Sequence, residues 1–373
     1  MKMVFIVNPI AGMGGRVGLK GTDDVLEQAI KKGARPVAPD RAVEFLRELR
    51  ERKRNRQFEI LTCPGIMGEK EAKAAFLPVK TLPMEIAEET TLQDTKKAVQ
   101  EASKAKAELI VFVGGDGTAK NVLDALKESK DPPPVLGVPA GVKMYSGIFA
   151  VNPADAAAAV VAFLEGTAQV TNLEVMDADE DAIRNDVFAV KFYGYLKGLY
   201  VPSRIQGSKE ISPDTGDERS SQEAIARFVI DEMPAEGTFL LGPGTTVERI
   251  AELLGIKKTL LGVDICRKGK VILDVNEAQI LKEVGDWDNA WLIVSPIGHQ
   301  GMLLGRGNQQ VSPEVLKRLG KTHIIVVATR HKLESVEERV LRVDTGDAEV
   351  DEMLRGPIRV VTNYKEGVMM QIQ

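Results

Sequence analysis

Short apolar runs that stop at glycines alternate with stretches in which apolar residues recur every three or four positions. Val4-Phe5-Ile6-Val7 is the first run, and it ends at Asn8-Pro9 and a cluster of Gly12, Gly14, Gly15 and Gly18. Unbroken apolar runs of this length fit parallel strands buried on both faces. Between 41 and 53, Val43, Leu46 and Leu49 recur at three-residue spacing among charges, which predicts a helix. Residues 58–61 read as the next strand and 92–106 as a second helix, with Leu92, Val99 and Ala102 inward. Leu109-Ile110-Val111-Phe112-Val113 is the clearest strand of the chain. It runs directly into Gly114-Gly115-Asp116-Gly117-Thr118, after which Val122, Leu123 and Leu126 mark one face of a helix. Pro132-Pro133-Pro134 breaks the chain before a strand at 135–138, and a helix over 153–164 carries an alanine run. This alternation predicts a parallel sheet with right-handed crossovers.

Past Gly166 the texture changes. Residues 168–215 are strand-like, with Gly, Tyr and charged residues interleaved, and a polar loop covers 207–219. A boundary near 165 is therefore expected, dividing the chain into domains 1–165 and 166–373. In the second, a strand at 239–241 meets the turn Gly242-Pro243-Gly244-Thr245-Thr246 and a helix over 247–254. Strands at 260–265, 271–275, 290–294, 323–328 and 367–372 and helices at 276–284 and 312–319 complete the pattern. The expected fold class is α/β: an N-terminal doubly wound parallel-sheet lobe and a second α/β lobe carrying extra strands.

Length agrees, since 373 residues exceed what one core usually serves. Composition is that of an ordinary globular chain, 44% hydrophobic and 28% charged. A formal net charge of -5 leaves no positive field with which to hold nucleic acid. Cys63 and Cys266 are the two cysteines, and neither has a Cys or His neighbour at metal-ligand spacing. Neither a zinc site nor a disulfide framework is expected. No apolar stretch reaches about 18 residues, and the opening run is too short for a signal-peptide core. The expectation is a cytoplasmic chain with no membrane partner.

The chemistry concentrates at Gly114–Thr118. Open α/β sheets bind ligands beyond the carboxyl ends of their strands. A helix that starts there points free N–H groups and its positive dipole end at the crevice. Glycines let a phosphate approach the backbone closely. Asp116 is unexpected beside a phosphate, because its charge would repel the ligand. It suits a kinase, where a carboxylate orients or deprotonates the attacking hydroxyl while Mg²⁺ offsets the phosphate charge. The competing reading is a tight turn with Asp116 as helix N-cap. Thr118 would cap the helix or bind phosphate.

Val113 to Thr118 resembles the GGDGT motif of the NAD kinase, diacylglycerol kinase and sphingosine kinase superfamily. Asn8-Pro9-Ile10-Ala11-Gly12-Met13-Gly14-Gly15 is similar to that superfamily's first strand and Gly-rich loop. Segments 295–301, 305–310 and Pro139-Ala140-Gly141-Val142-Lys143-Met144 resemble an ATP-NAD kinase-like branch, also called acetoin-catabolism-protein-X-like. The resemblance implies an ATP-dependent kinase with Asp116 as base. It implies that Gly114, Gly115 and Gly117 hold ATP phosphates, that NAD is the acceptor, and that the chain forms a homo-oligomer. Asn8, Gly12 and Gly14, at the end of the first strand, are expected to wall the same nucleotide cleft, Thr118 to face its phosphates, and Lys143 either to pair with a phosphate or to be a surface lysine. NAD kinases place an Asn-Glu/Asp pair after GGDGT that contacts the acceptor; here the chain departs from that pattern, and Asn185-Asp186, at a loose spacing and context, is the nearest candidate. The rivals are a kinase of another small hydroxyl compound and a nucleotide sensor without turnover.

Further acceptor contacts are expected from the second lobe. Gly244, Thr245 and Thr246 form another strand–glycine–helix turn, with a threonine as cap. His299 follows a strand, and Arg306 and Asn308 lie in a Gly-rich segment able to clamp an anion. The acidic residues 177–181 match no EF-hand spacing and read as a solvated turn. No metal ligand set is expected from the protein.

Overall fold

The computed structural model describes residues 1–15, 17, 30–31, 33–53, 56, 58–87, 90–141, 144–178, 190–202, 204–205, 216–297 and 301–373. It divides into two compact units. The first comprises Met1–Met13, Gly21–Asp179 and Ala189–Lys209, and the second comprises Gly14–Lys20, Glu180–Phe188 and Glu210–Gln373.

The first unit runs β1 (Lys2–Val7), α1 (Ala38–Arg52), β2 (Glu59–Thr62), α2 (Glu69–Ala74), β3 (Lys80–Thr81), α3 (Leu92–Lys104), β4 (Leu109–Gly114), α4 (Asp116–Leu126), β5 (Val135–Pro139), α5 (Pro153–Leu164), β6 (Gln169–Ala178) and β7 (Val190–Tyr200). Its sheet order is β3-β2-β1-β4-β5-β7-β6. All neighbours pair in parallel except the β6–β7 hairpin. Both sheet faces are covered. Met3, Phe5 and Val7 pack with Ala38, Phe45 and Val160 from α1 and α5. Val4 and Ile6 pack with Ala98, Val99, Val122 and Leu123 from α3 and α4. This is the doubly wound arrangement expected. Leu92 departs from expectation: it opens α3 at 53% exposure, while Thr95, Ala98, Val99 and Ala102 form the buried face.

The boundary expected near 165 lies elsewhere in the contacts. β6 and β7, assigned by texture to the second domain, complete the first sheet through Val135 of β5 opposite Gly198 of β7. A hairpin that hydrogen-bonds to a sheet edge belongs to that sheet's unit, so the first unit reaches Lys209.

The second unit contains α6 (Gly216–Glu232), β8 (Thr238–Leu241), α7 (Thr245–Leu253), β9 (Asp264–Arg267), β10 (Lys270–Ile272), α8 (Glu277–Glu283), β11 (Ala290–Val294), β12 (Met302–Leu304), α9 (Pro313–Leu319), β13 (Ile324–Val327), α10 (Arg330–Glu334), β14 (Val340–Val343), α11 (Ala348–Leu354), β15 (Gly356–Asn363) and β16 (Glu366–Ile372). Its nine strands are ordered β10-β9-β8-β11-β13-β15-β16-β14-β12, with a parallel centre from β8 to β15. Ile225, Val229, Val247 and Ile250 of α6 and α7 cover one face. Ile280, Leu316 and Val350 cover the other. The strand expected at 260–265 begins only at Asp264. The Asp264 carboxylate accepts from Thr259 N at 2.8 Å and Asp274 N at 2.7 Å, which holds the preceding loop out of the sheet.

Candidate active site

In the first sheet the chain moves from β1 outward to β2 and β3, then returns to β4 on the other side of β1. The loops after β1 and β4 consequently part to opposite faces, which opens a crevice at their carboxyl ends. Three loops meet there. Asn8 N donates to Val113 O at 3.0 Å, and Ala140 N donates to Gly114 O at 2.9 Å. Gly12, with φ +79°, lies against the last loop: a Cβ on it would come 1.8 Å from Ala140 O. Across the crevice Asn8 Nδ2 donates to Thr118 Oγ1 at 2.9 Å.

Two of the GGDGT glycines answer to packing within the protein. A Cβ on Gly114 would sit 2.4 Å from Thr118 Oγ1, and one on Gly115 would sit 3.2 Å from Gly141 Cα. Gly115 is also the N-cap of α4, so no side chain caps this helix. Asp116 and Thr118 stand inside its first turn, which corrects the expectation that either would be the cap. The amides of Gly117 and Thr118 stand in that first turn, where an N–H group has no partner within the helix. Truncation of the Asn8 amide, Asn8→Ala, is expected to destabilise the protein by about 0.5–1.5 kcal/mol, the worth of one hydrogen bond. A urea titration measures this, and an unchanged midpoint would contradict the link.

Asp116 is buried, and both its oxygens are engaged. Oδ2 accepts from Tyr145 N at 2.6 Å and Oδ1 from Ser146 N at 3.0 Å. Two amide dipoles and the positive end of α4 thereby offset the carboxylate's lost hydration. Ser146 is pinned on its other side, its Oγ accepting from Met176 N of β6 at 2.9 Å. Burial, and then the Asp116 charge, push the Tyr145 phenol well above its usual pKa, so it stays protonated. Tyr145 and Ser146 went unrecognised in the sequence because backbone donors leave no residue-type signal. Arg41 of α1 is a second unrecognised residue. It is 7% exposed, and its Nε donates to Pro139 O at 3.3 Å, setting a buried guanidinium at the end of β5.

Lys143, Asn185, Asp186 and His299 lie outside the described residues. Gly14 is buried and groups with the second unit. In that unit Gly244, at φ +111°, is the N-cap of α7, and Thr245 and Thr246 are inside the helix. The cap is therefore a glycine in the left-handed region and not a threonine. Thr245 Oγ1 accepts from Gln222 Nε2 at 3.3 Å. Arg306 is 6% exposed. Asn308 closes its own loop, accepting from Gly305 N at 3.0 Å and donating to Leu303 O at 2.9 Å. Among the described residues no cluster of three His, Cys, Asp or Glu could hold a metal ion.

Family comparisons agree with the motif and its setting. The model of the ATP-NAD kinase N-terminal domain matches residues 3–168, and that of the ATP-NAD kinase C-terminal domain matches 235–372. The chain belongs to the ATP-NAD kinase family. The N-terminal family model stops at 168, before the hairpin that completes the first sheet. Two solved structures, each described as a diacylglycerol kinase from Bacillus anthracis str. Sterne, are similar at low identity. One is 21% identical over 48% of this chain and 46% of its own, with a TM-score of 0.24. The other is 17% identical over 73% of this chain and 62% of its own, also at 0.24. The chain thus spans under two thirds of either. No curated protein matches. Among the described residues no helix of this ATP-NAD kinase family member is long and apolar enough to cross a membrane.

Proposed function

We propose that the protein transfers the γ-phosphoryl group of ATP to a hydroxyl of NAD, forming NADP. The observation that carries this reading is a buried carboxylate, Asp116, held by two amides beside the uncapped first turn of α4. Helix amides offer hydrogen bonds to phosphate, and a fixed carboxylate offers an acceptor to the attacking hydroxyl. Asn8, Gly12, Gly114, Gly115, Gly117, Thr118 and Lys143 would form the ATP side, in the first unit. Acceptor contacts would come from Asn185, Asp186 and the second unit's Gly244–Thr246, His299 and Arg306. With no protein cage for a cation among the described residues, Mg²⁺ would arrive on the nucleotide phosphates, where it neutralises charge. A homo-oligomer acting in the cytoplasm completes the reading.

The engagement of both Asp116 oxygens favours one rival. A carboxylate whose main task is to hold the 145–146 loop suits a nucleotide sensor as well as a kinase. The two part in a product assay. Purified protein with ATP, Mg²⁺ and NAD is expected to generate NADP, read with an NADP-specific dehydrogenase. Nucleotide binding with no NADP would remove NAD as acceptor, and an acceptor screen without transfer would leave the sensor.

A further inference from the structure

The β6–β7 hairpin is held to the first unit by more than its ladder. β6 closes the sheet order, and among the described residues no strand lies beyond it. An unpaired strand edge carries backbone groups that need partners. Two of them are taken by the segment after Tyr145. Gly147 N donates to Glu174 O at 2.8 Å, and Met176 N donates to Ser146 Oγ at 2.9 Å. A side-chain oxygen thus stands where the carbonyl of a neighbouring strand would accept. The same segment is fixed to β5 further on. Gly137 N donates to Ile148 O at 3.0 Å, and Ala150 N to Gly137 O at 2.9 Å. Gly137 permits this approach, since a Cβ there would come 2.3 Å from Phe149 Cδ1.

Ser146 joins this segment to Asp116. Its Oγ grips β6, and its own N–H is one of the two that hold the carboxylate. The residue is fully buried. A buried hydroxyl is costly unless it is bonded, and alanine would fill much the same space. What the hydroxyl holds therefore explains its presence. Asp116 Oδ1 to Ser146 N, at 3.0 Å, and Ser146 Oγ to Met176 N, at 2.9 Å, make one path from the carboxylate to β6 through a single residue. Tyr145 N, the carboxylate's other donor, is the next residue along. Any shift of residues 145–147 along β6 moves both donors against Asp116. Misplacement of a reacting group by about 1 Å can cost roughly a hundredfold in rate.

We propose that Ser146 is a positioning residue for phosphoryl transfer: its hydroxyl locks residues 145–147 to β6, and their amides in turn set the Asp116 carboxylate toward the attacking hydroxyl. The effect on rate rests on the kinase reading. The lock is a property of the fold and is read without turnover. The glycines that would face ATP take no part in it, so nucleotide binding is spared when the lock is lost.

The test pairs amide hydrogen exchange with steady-state kinetics on the full chain: wild type, Ser146→Ala, Ser146→Cys, Asp116→Asn, and Ser146→Ala combined with Asp116→Asn. In Ser146→Ala the amides of Tyr145 and Gly147 are expected to exchange at least about tenfold faster, while those of β4 keep their wild-type rates. With ATP, Mg²⁺ and NAD, kcat is expected to fall about tenfold or more, the KM for ATP staying within about twofold of wild type. Ser146→Cys, whose thiol is a weak acceptor of similar shape, should fall between. Added to Asp116→Asn, the Ser146→Ala change should cost kcat nothing further, because its effect passes through that carboxylate. Should Ser146→Ala fail to fold, Ser146→Cys is read in its place. Unchanged exchange at Tyr145 and Gly147 would overturn the lock. Faster exchange with wild-type kcat, or a full further loss in the Asp116→Asn background, would overturn the positioning role. Absence of NADP from wild type would instead remove the kinase reading, and the exchange rates would still decide the lock.

Discussion

Asp116→Asn is expected to lower kcat for phosphoryl transfer by about two orders of magnitude or more, the usual cost of removing a general base. The same change has a second, structural consequence. Asparagine keeps one acceptor oxygen and turns an NH₂ toward the other backbone amide. One of the two bonds from Tyr145 N and Ser146 N is then lost, and two donors face each other. A destabilisation of about 1–3 kcal/mol should follow. Turnover at saturating ATP and NAD, set beside a urea midpoint, separates the effects. A variant that is less stable but turns over normally would assign Asp116 to holding the 145–146 loop and would remove it as base.

Gly12→Ala is expected to be the most damaging small substitution in the first unit. Its φ of +79° puts an L-residue in the left-handed region, at a cost of about 1–2 kcal/mol. In addition the new methyl would meet Ala140 O at 1.8 Å, and no rotamer relieves an overlap between Cβ and a carbonyl. The loops after β1 and β5 must move apart, so both stability and ATP affinity should fall. Gly33→Ala is the internal control. Gly33 has φ +81° but nothing within 4 Å of where its methyl would sit, so it isolates the conformational cost. Chemical denaturation of both variants measures the difference, with Gly12→Ala expected to lose more than about 2 kcal/mol. Equal losses would show that the contact with Ala140 is not what requires glycine.

Much of the first unit was legible because its strands are buried on both faces and read as unbroken apolar runs. Leu109 to Val113 and its following turn fall where the pattern placed them. Helix 153–164 coincides with α5, since Asn152 accepts from Asp155 N and Pro153 opens the first turn. The β6–β7 hairpin was visible as strand texture, but its attachment to β5 was not, because sheet neighbours are set by long-range pairing. Helix α6 was missed entirely. The polar loop expected over 207–219 overlaps its start, and its inward positions, Ile225, Ala226 and Val229, are diluted by charges on the remaining faces.

The site divides in the same way. Gly-Gly-Asp-Gly-Thr at a strand end announced an anion crevice, because glycine and helix-start chemistry are written in residue types. The partners of Asp116 are backbone amides of a loop nearly thirty residues on, which no side-chain pattern records.

The measurement that bears most directly on the central claim is a crystal structure of the protein with a non-hydrolysable ATP analogue and Mg²⁺. The account predicts phosphates against the first-turn amides of α4, within hydrogen-bond distance of Gly117 N and Thr118 N, in the crevice between the loops after β1 and β4. Phosphates bound away from that turn would contradict it, and Asp116 would then have no part in phosphoryl transfer.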